Sequence, residues 1–354
     1  MKTDSYLVIG GCGLLGGHII DLLLKRGEED VAAFDLVHSQ LDPKVEVFVG
    51  DITAVESLRQ ALSSYRPTCI IHTASSLPGR PCDLQEKINV RGTDNVIREA
   101  IAHGVRKLVY TSTASVVFEG VDQLNVDETA PYPSHHIDDY NDTKSMAEKL
   151  VLDANGRNGL STASLRPAGL FGPGDRVTVP AFMNSMLSSR SHVQLGDNSN
   201  LFDWTYIGNA AQAHLLTADC LSPSHPKYGR VAGQAFFISN GDPRPWWEFP
   251  RLLWKEAGHY IALILAFFIE YICLILGKKP TLTRLTVTYC CTARSCNISK
   301  ARNALDYEPE ISLEEGVKRS VAVRTSVQIS RSMVASKPCR AEPGDEVELI
   351  RGRW

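Results

Sequence analysis

The sequence predicts an α/β fold in which a doubly wound parallel sheet is followed by a smaller C-terminal lobe. Short apolar runs alternate strictly with amphipathic stretches from the start of the chain, an order typical of parallel sheets covered by helices on both faces. This alternation loosens after about residue 173. A length of 354 residues is also long for one domain, which favours a main domain with a second lobe.

The strands of the sheet are predicted at residues 6–9, 31–34, 45–49, 68–71, 107–111 and 162–165. Stretches such as "LLGGHIIDLLLKRG" and "VESLRQALSSY" separate them and have the apolar spacing of helices. Residues 1–173 are therefore predicted to form the main domain, completed by a segment at about 205–240. The smaller lobe is predicted to comprise 174–204 and 241–323, and the tail 324–354, which has little periodicity, is predicted to be mobile.

Composition and charge argue against several classes of protein. The net charge of −3 and the isoelectric point near 6.4 give no support for nucleic-acid binding. The nine cysteines are irregularly spaced and the start of the chain lacks the apolar segment of a signal peptide, so free thiols on the cytosolic side are expected. The cluster "YCCTARSC" has no second ligand pair at zinc-finger spacing, so we expect packing there and no metal site.

A nearly continuous apolar run, "HYIALILAFFIEYICLILGKK", extends from residue 259 to residue 279. Its length is at the short end for a membrane span, and Glu270 places a charge in its middle. A buried helix and a membrane-associated helix at about residues 259–277 both agree with this pattern. The run alone does not decide between them.

The first strand and the helix after it carry the spacing GxxGxxG at Gly10, Gly13 and Gly16. Glycines at this turn let the backbone approach a pyrophosphate at the amino terminus of the helix, as in Rossmann-like dinucleotide sites. Asp35 follows at the end of the second strand, where a carboxylate accepts the ribose hydroxyls and repels a 2′-phosphate. These features predict NAD as the cofactor and argue against NADP.

Two further strand ends point to the same cofactor site. Asp51 and Ile52 follow the third strand and are expected at the adenine. The small residues Thr73, Ala74 and Ser75 follow the fourth strand and leave room for the ribose and nicotinamide. Each of these residues alone agrees equally well with a capping or turn position. Their combination at one edge of the sheet favours the cofactor site.

The segment "DDYNDTK" places Tyr140 and Lys144 one helical turn apart, a spacing that often occurs by chance. Thr113 lies after the fifth strand, at the same predicted sheet edge. A hydroxyl, a tyrosine and a lysine beside a nicotinamide form a set for proton transfer. In this interpretation Tyr140 removes an alcohol proton and Thr113 binds the oxygen. Lys144 binds the cofactor ribose and, together with the positive nicotinamide ring, lowers the pKa of Tyr140.

Together these motifs resemble the extended short-chain dehydrogenase/reductase superfamily, over about residues 5–323. The resemblance rests on the glycine triplet, Asp35, Asp51, "NVRGT", "YTSTAS" with Thr113, and the Tyr140/Lys144 pair. It implies a wider set of cofactor contacts, which adds Leu14, Leu15, Asn89, Tyr140, Lys144 and Pro167. The smaller lobe is then expected to bind the substrate.

The branch is indicated by the segment "LFDWTYIGNAAQAH", in which Phe202 precedes Asp203. Nucleotide-sugar relatives typically carry an arginine there that binds the substrate diphosphate, so an apolar substrate is expected here. "LRPAGLFGPGD" and "SCNISKARNALDYEP" resemble the 3β-hydroxysteroid dehydrogenase family, and "GDNSNLFDWTYIGN" is similar to its fungal sterol-4α-carboxylate 3-dehydrogenase (decarboxylating) branch. The family pattern implies that Arg166 and Pro167 line the nicotinamide side of the pocket.

This resemblance implies NAD-dependent oxidation of the 3β-hydroxyl of a 4α-carboxysterol or related triterpenoid, with loss of the carboxylate as carbon dioxide, and no metal. The alternatives are a 3β-hydroxysteroid dehydrogenase without decarboxylation, with or without isomerase activity, and a non-catalytic NAD-sensing protein. The family also implies membrane association through the run at 259–277, on the cytosolic face of the endoplasmic reticulum or lipid droplets. A homodimer and partners in a sterol-demethylation complex are expected on the same basis.

Overall fold

The computed structural model describes residues 4–39, 41–187, 194–256 and 292–322. Its centre is a seven-stranded sheet in which neighbouring strands run parallel. In spatial order the strands are β3 (Glu46–Val49), β2 (Val31–Asp35), β1 (Tyr6–Ile9), β4 (Cys69–His72), β5 (Lys107–Thr111), β7 (Ser161–Pro167) and β11 (Gln234–Ile238). The chain order reverses between β1 and β4, which is the point at which doubly wound sheets bind ligands. The predicted fold class is confirmed.

The six predicted strands all form, with small differences at their ends. All of them except the edge strand β3 are almost entirely buried, because helices cover both faces of the sheet. Successive side chains of a strand point to opposite faces, so Val8 packs in one core while Leu7 and Ile9 pack in the other. The seventh strand, β11, comes from a later part of the chain and pairs with β7.

The helices are α1 (Leu14–Lys25), α2 (Val55–Tyr65), α3 (Cys82–Gln85), α4 (Thr93–Ala102), α5 (Asp139–Asp153), α6 (Thr178–Leu187), α7 (Ile207–Cys220), α8 (Tyr228–Val231), α9 (Glu248–Glu256), α10 (Ser299–Leu305) and α11 (313–322). Helices α1 and α7 pack on one face of the sheet, and α2, α4 and α5 pack on the other. A π-helical segment, Glu86–Gly92, joins α3 to α4, and short 3₁₀ turns lie at Ala114–Val117 and Arg157–Gly159.

Two small sheets stand beside the main sheet. One has four strands, in the order β12 (Arg244–Pro245), β9 (Leu201–Phe202), β13 (Arg294–Cys296) and β6 (Gln123–Val126), and the other pairs β8 (Gly169–Phe171) with β10 (Trp204–Tyr206). An aromatic cluster packs against them, in which Trp204 stacks on Phe249 with ring centroids 4.0 Å apart. Phe171 and Phe182 contact this pair edge-on, the arrangement that aromatic rings prefer.

A buried ion pair ties α5 to β7. Glu148 on α5 accepts hydrogen bonds from Nη2 of Arg166 at 2.7 Å and from Nε at 3.0 Å. The hydroxyls of Ser164 and Tyr132 also donate to this carboxylate, each at 2.7 Å. The two charged side chains are 0% and 4% exposed. Burial opposes ionisation of Glu148, but the Arg166 guanidinium holds the pKa of this carboxyl below its usual value. The helix is thereby fixed against the sheet.

Several parts of the sequence discussed above lie outside the described residues, namely the apolar run at 259–277, Cys290, Cys291 and the tail 324–354. Within the described ranges, no helix is long and apolar enough to cross a membrane. The same ranges contain no group of three or more His, Cys, Asp or Glu side chains placed to hold a metal ion. The domain boundaries given above stay predictions.

We expect Glu148→Gln to lower the stability of the protein by about 3–5 kcal/mol, because the buried guanidinium of Arg166 then loses its charge partner. Urea unfolding followed by circular dichroism measures this change. Glu315→Gln is the matched control, since it removes the partner of Arg319 in an exposed pair on α11 and should leave the midpoint unchanged. A Glu148→Gln protein as stable as wild type would show that the pair does not hold α5.

Candidate active site

A cavity of about 430 Å³ lies at the carboxyl ends of β1, β2, β3 and β4, beside the point where the order of the sheet reverses. Most of the cofactor residues predicted from the sequence line it: Gly10, Gly13, Leu14, Leu15, Gly16, Asp35, Asp51, Ile52, Thr73, Ala74 and Ser75. The structure therefore brings together side chains from four separate strand ends and one helix start. Their role in holding a cofactor stays a prediction.

Two glycines of the triplet leave no space for a side chain. Gly10 has a φ of 82°, in the left-handed region that favours glycine, and a Cβ there would lie 2.7 Å from the backbone nitrogen of Ala74. A Cβ on Gly16 would lie 2.1 Å from the carbonyl oxygen of Gly10. The N-cap of α1, Gly13, makes no side-chain hydrogen bond to the first turn of the helix. The start of α1 thus presents backbone N–H groups beside close-packed glycines, a cradle that fits a pyrophosphate.

Two carboxylates at this cavity are held by the backbone. Oδ2 of Asp35 accepts a hydrogen bond from the backbone N–H of Cys12 at 3.0 Å, and Oδ1 of Asp51 accepts one from Thr53 at 2.8 Å. A negative charge at the end of β2 favours ribose hydroxyls and disfavours a 2′-phosphate. Among the described residues that line the cavity, Lys87 is the only basic one. The residues present therefore fit NAD.

In the segment "NVRGT", Asn89 contacts the protein itself, and its predicted contact with the cofactor stays a prediction. Asn89 is 1% exposed, and it is not among the described residues that line the cavity. Its Oδ1 accepts hydrogen bonds from the backbone of Ser76 at 2.8 Å and from Ser75 Oγ at 3.1 Å, and its Nδ2 donates to Thr143 Oγ1 at 3.0 Å. Asn89 therefore positions the loop after β4 against α5. The cavity-lining side chains of its helix are Leu84, Lys87 and Ile88, whose spacing places them on one helical face.

A second cavity, of about 470 Å³, adjoins the first, since Leu14 lines both. It contains Thr113, Tyr140 and Pro167, as predicted, together with the hydroxyl of Ser112. Its walls are mostly apolar and include Leu77, Ala114, Ala168, Leu170, Val177 and Phe202. A largely apolar cavity with a few polar groups is typical of a site for a small apolar ligand.

Tyr140 stands between the two cavities. It lies in the first turn of α5, which Asp138 caps by accepting a hydrogen bond from the backbone N–H of Asn141 at 2.8 Å. Its side chain shares a hydrogen bond with Ser75, which lines the first cavity. Burial raises the pKa of Tyr140 to about 12, although the Ser75 hydrogen bond lowers it. Burial and the charge of Asp138 raise this pKa, and the lowering that was expected from Lys144 is not seen in the protein alone.

Lys144 lies on the sheet side of α5 and is 2% exposed. Its Nζ donates a hydrogen bond to the carbonyl oxygen of Thr111 at 2.6 Å and lies 4.3 Å from the ring centroid of Tyr110. Burial lowers the pKa of Lys144 to about 7, against the opposing charge of Glu148. Lys144 does not appear among the described residues that line either cavity. Its contact with a ribose therefore stays a prediction.

Pro167 and Arg166 were both expected to line the pocket, but their side chains point in different directions in the structure. Pro167 lines the second cavity. Arg166 points away from it, because neighbouring residues of a strand face opposite sides of the sheet. Its guanidinium pairs with Glu148 and its carbon lies 5.3 Å from the ring centroid of Phe237. The expectation that Arg166 lines the pocket is therefore corrected, and its role is to fix α5.

Of two residues that form walls of the second cavity, the sequence indicated Phe202 and missed Arg294. Phe202 on β9 and Arg294 on β13 both line it. They come together because β13 pairs with β9 and also with β6, which lies far earlier in the chain. The backbone N–H of Asn125 accordingly donates a hydrogen bond to Ser295 Oγ, 170 positions away. No local pattern predicts a contact of this range, and Arg294 itself was not singled out in the sequence.

Comparison with known proteins agrees with this geometry. The 3-beta hydroxysteroid dehydrogenase/isomerase family matches residues 7–266 of the chain. The decarboxylating sterol-4-alpha-carboxylate 3-dehydrogenase of Schizosaccharomyces pombe is 43% identical over 337 residues, which cover 91% of this chain and 98% of that protein. The protein of the same name from Saccharomyces cerevisiae is 38% identical, covering 91% and 98%, and the one from mouse is 34% identical, covering 90% and 91%.

Solved structures share the fold. A UDP-glucose 4-epimerase from Thermotoga maritima is similar with a TM-score of 0.71 and 23% identity, covering 92% of this chain and 99% of that one. A dTDP-glucose 4,6-dehydratase from Bacillus anthracis gives a TM-score of 0.72 and 18% identity, covering 92% and 98%. At this identity the likeness concerns the fold alone. The sequence matches are more specific, and the chain belongs to the 3-beta hydroxysteroid dehydrogenase/isomerase family.

Proposed function

We propose that the protein is an NAD-dependent sterol-4α-carboxylate 3-dehydrogenase that decarboxylates its product. One observation carries the proposal: Thr113 and Tyr140 line an apolar cavity that adjoins a glycine-lined cavity fit for a dinucleotide. The names of relatives from fungi and mouse support the choice of substrate. Phe202 in the cavity wall, where nucleotide-sugar enzymes typically carry an arginine, supports an apolar ligand.

The first cavity would hold the cofactor through the start of α1 and the carboxylate of Asp35. NAD, when bound, supplies the acceptor for the hydride that leaves carbon 3 of the sterol. Asp51 and Ile52 would contact the adenine, while Thr73, Ala74 and Ser75 would border the ribose and nicotinamide. Lys144 would reach the ribose from α5.

Oxidation requires removal of the proton on the 3β-hydroxyl. Tyr140 would accept this proton as its general base, and Thr113 would hold the oxygen by a hydrogen bond. A high pKa makes the Tyr140 phenolate scarce but strongly basic. The hydrogen bond with Ser75 and a protonated Lys144 both favour the phenolate, so they would raise its fraction.

Oxidation at carbon 3 prepares the second step. The new ketone stands beta to the 4α-carboxylate, so the bond between carbon 4 and the carboxyl carbon can break. Its electron pair moves onto the ketone oxygen as carbon dioxide leaves. Hydrogen bonds from Tyr140 and Thr113 would stabilise the resulting enolate, because they point at the atom where negative charge develops.

We also propose that the protein associates with membranes, at the cytosolic face of the endoplasmic reticulum or lipid droplets, as a homodimer or in a sterol-demethylation complex. The apolar run at 259–277 supports this proposal. Leu77 and Val177 line the second cavity and are 53% and 59% exposed, which suits entry of an apolar substrate from lipid. Recovery of the intact protein wholly in a high-speed supernatant would contradict it.

The reaction itself can be tested with purified protein, NAD and a 4α-carboxysterol. We expect NADH and carbon dioxide in equal amounts, since each oxidation produces one beta-keto acid that loses its carboxyl group. Absorbance at the NADH maximum and trapped labelled carbon dioxide give the two quantities. NADH without enzyme-dependent carbon dioxide would leave a dehydrogenase without decarboxylation. If neither NADH nor carbon dioxide forms, the proposed substrate class is refuted.

The role of Tyr140 as base predicts how oxidation depends on pH. Because burial raises the pKa of Tyr140 to about 12, the fraction of its deprotonated form grows with pH throughout the neutral range. With NAD saturating, kcat/KM for the sterol should therefore rise from about pH 6 and level off toward about pH 9, because Lys144, with a pKa of about 7, loses the proton that favours the phenolate. Tyr140→Phe should lower kcat/KM by about 100-fold or more. NAD affinity, measured by calorimetry, should change far less than kcat/KM in this variant, because Tyr140 is only one of many predicted cofactor contacts.

Tyr228→Phe is the matched control, because it removes a tyrosine hydroxyl that hydrogen-bonds Ser161 and lies outside the lining of both cavities. It should keep the activity and the pH profile of the wild type. A Tyr140→Phe protein with normal turnover, or a wild-type kcat/KM that falls over this pH range, would rule out Tyr140 as the base.

A further inference from the structure

The cavity that contains Thr113 and Tyr140 has one cationic wall. Of the described residues that line it, Arg294 is the only basic side chain and Asp175 is the only acidic one. The other lining groups are apolar or carry neutral hydroxyls and backbone amides. A carboxylate that enters such a cavity loses hydration, so its binding depends on a compensating positive charge.

The acidic side chain at this cavity, Asp175, already accepts hydrogen bonds from the protein backbone. Oδ1 of Asp175 accepts hydrogen bonds from the backbone N–H of Val177 at 2.7 Å and of Thr178 at 3.1 Å. Oδ2 accepts one from the backbone N–H of Val179 at 2.8 Å. These contacts satisfy the first N–H groups of α6, as carboxylates do at helix starts. Recognition of a charged group on the substrate therefore falls to Arg294.

Aromatic rings hold the guanidinium of Arg294 in place. Its central carbon lies 4.8 Å from the ring centroid of Phe118 and 4.6 Å from that of Phe202. Its backbone is held as well, because β13 pairs with β6 and β9. Stacking on rings uses the faces of a guanidinium, whereas its N–H groups donate from its edge. That edge matches the two oxygens of a carboxylate.

We propose that Arg294 binds the 4α-carboxylate and makes the enzyme selective for carboxylated sterols. This inference rests on the proposed function. The 3β-oxygen and the 4α-carboxylate stand on adjacent carbons, so a substrate whose oxygen contacts Thr113 and Tyr140 carries its negative charge within the same cavity. Two polar contacts on adjacent carbons fix the orientation of the sterol ring, which an apolar cavity alone does not.

Arg294 acts on binding more than on the rate of carbon–carbon cleavage. Its ion pair stabilises the substrate and weakens as the bond from carbon 4 to the carboxyl carbon breaks, because the electron pair moves to the ketone oxygen and neutral carbon dioxide leaves. Loss of the guanidinium should therefore raise KM for the carboxylated substrate and leave kcat nearly unchanged.

The test compares binding and turnover in wild type, Arg294→Gln and Arg294→Lys, with NAD present. A 3-deoxy-4α-carboxysterol, which cannot be oxidised, and its neutral 4α-hydroxymethyl counterpart are the binding probes. We expect Arg294→Gln to reduce the ratio of their affinities by about 10- to 100-fold, the factor that a charge-assisted hydrogen bond contributes. KM for the 4α-carboxysterol should rise similarly. Arg294→Lys keeps the positive charge but lacks the paired N–H groups of a guanidinium. Its ratio of affinities should therefore lie between those of wild type and Arg294→Gln.

Lys300→Gln is the matched control, since this cation also stacks on a ring, 4.8 Å from the centroid of Phe236, but lines neither cavity. It should leave the affinity ratio unchanged. If Arg294→Gln does not fold, Arg294→Lys still tests the proposal. An unchanged ratio in the arginine variants, or an equal loss for both probes, would overturn the proposal. A wild-type protein that binds the acid through Arg294 yet oxidises no 4α-carboxysterol would refute the proposed function and keep the binding site.

Discussion

The place of α5 on the sheet depends on charges that have almost no contact with water. Lys144 and Glu148 lie one turn apart on this helix, and both are buried. Burial of a charge is costly unless partners compensate it, and here Arg166 pairs with Glu148 while the carbonyl of Thr111 accepts from Lys144. These contacts are directional, so a shift of the helix along the sheet would leave a buried charge without its partner. The position of Tyr140, on the first turn of α5, follows from them.

Burial away from water also shifts the pKa values of the two ionisable groups of the proton-transfer set, Tyr140 and Lys144. It raises the pKa of Tyr140 and lowers that of Lys144, so that in both cases the neutral form gains. A neutral pair is cheaper to bury than two charges. In the protein alone, burial therefore shifts both groups toward their neutral forms, and charge develops at Tyr140 when a proton moves.

Much of the fold and of the cofactor site could be predicted because both depend on local patterns. Apolar runs identify the strands, and the residues just after them must meet at the carboxyl edge of a parallel sheet. What the sequence did not predict was the direction in which a side chain points and the contacts between residues far apart in the chain. Arg166 was assigned to the pocket, but its guanidinium faces Glu148 on α5. Arg294 was missed because it reaches the cavity through a strand pairing that no local pattern encodes.

The two cavities also differ in how much of the chain they need. The first is lined by residues between Ile9 and Ile88, whereas the wall of the second includes Arg294. Contacts of long sequence separation form late, because the entropy of closing a large loop is lost before they form. During synthesis from the amino terminus, the nucleotide half can therefore assemble around its own strands first. The wall of the substrate half that holds Arg294 depends on the pairing of β13 with β6 and β9, which by its sequence separation is expected among the last contacts of folding.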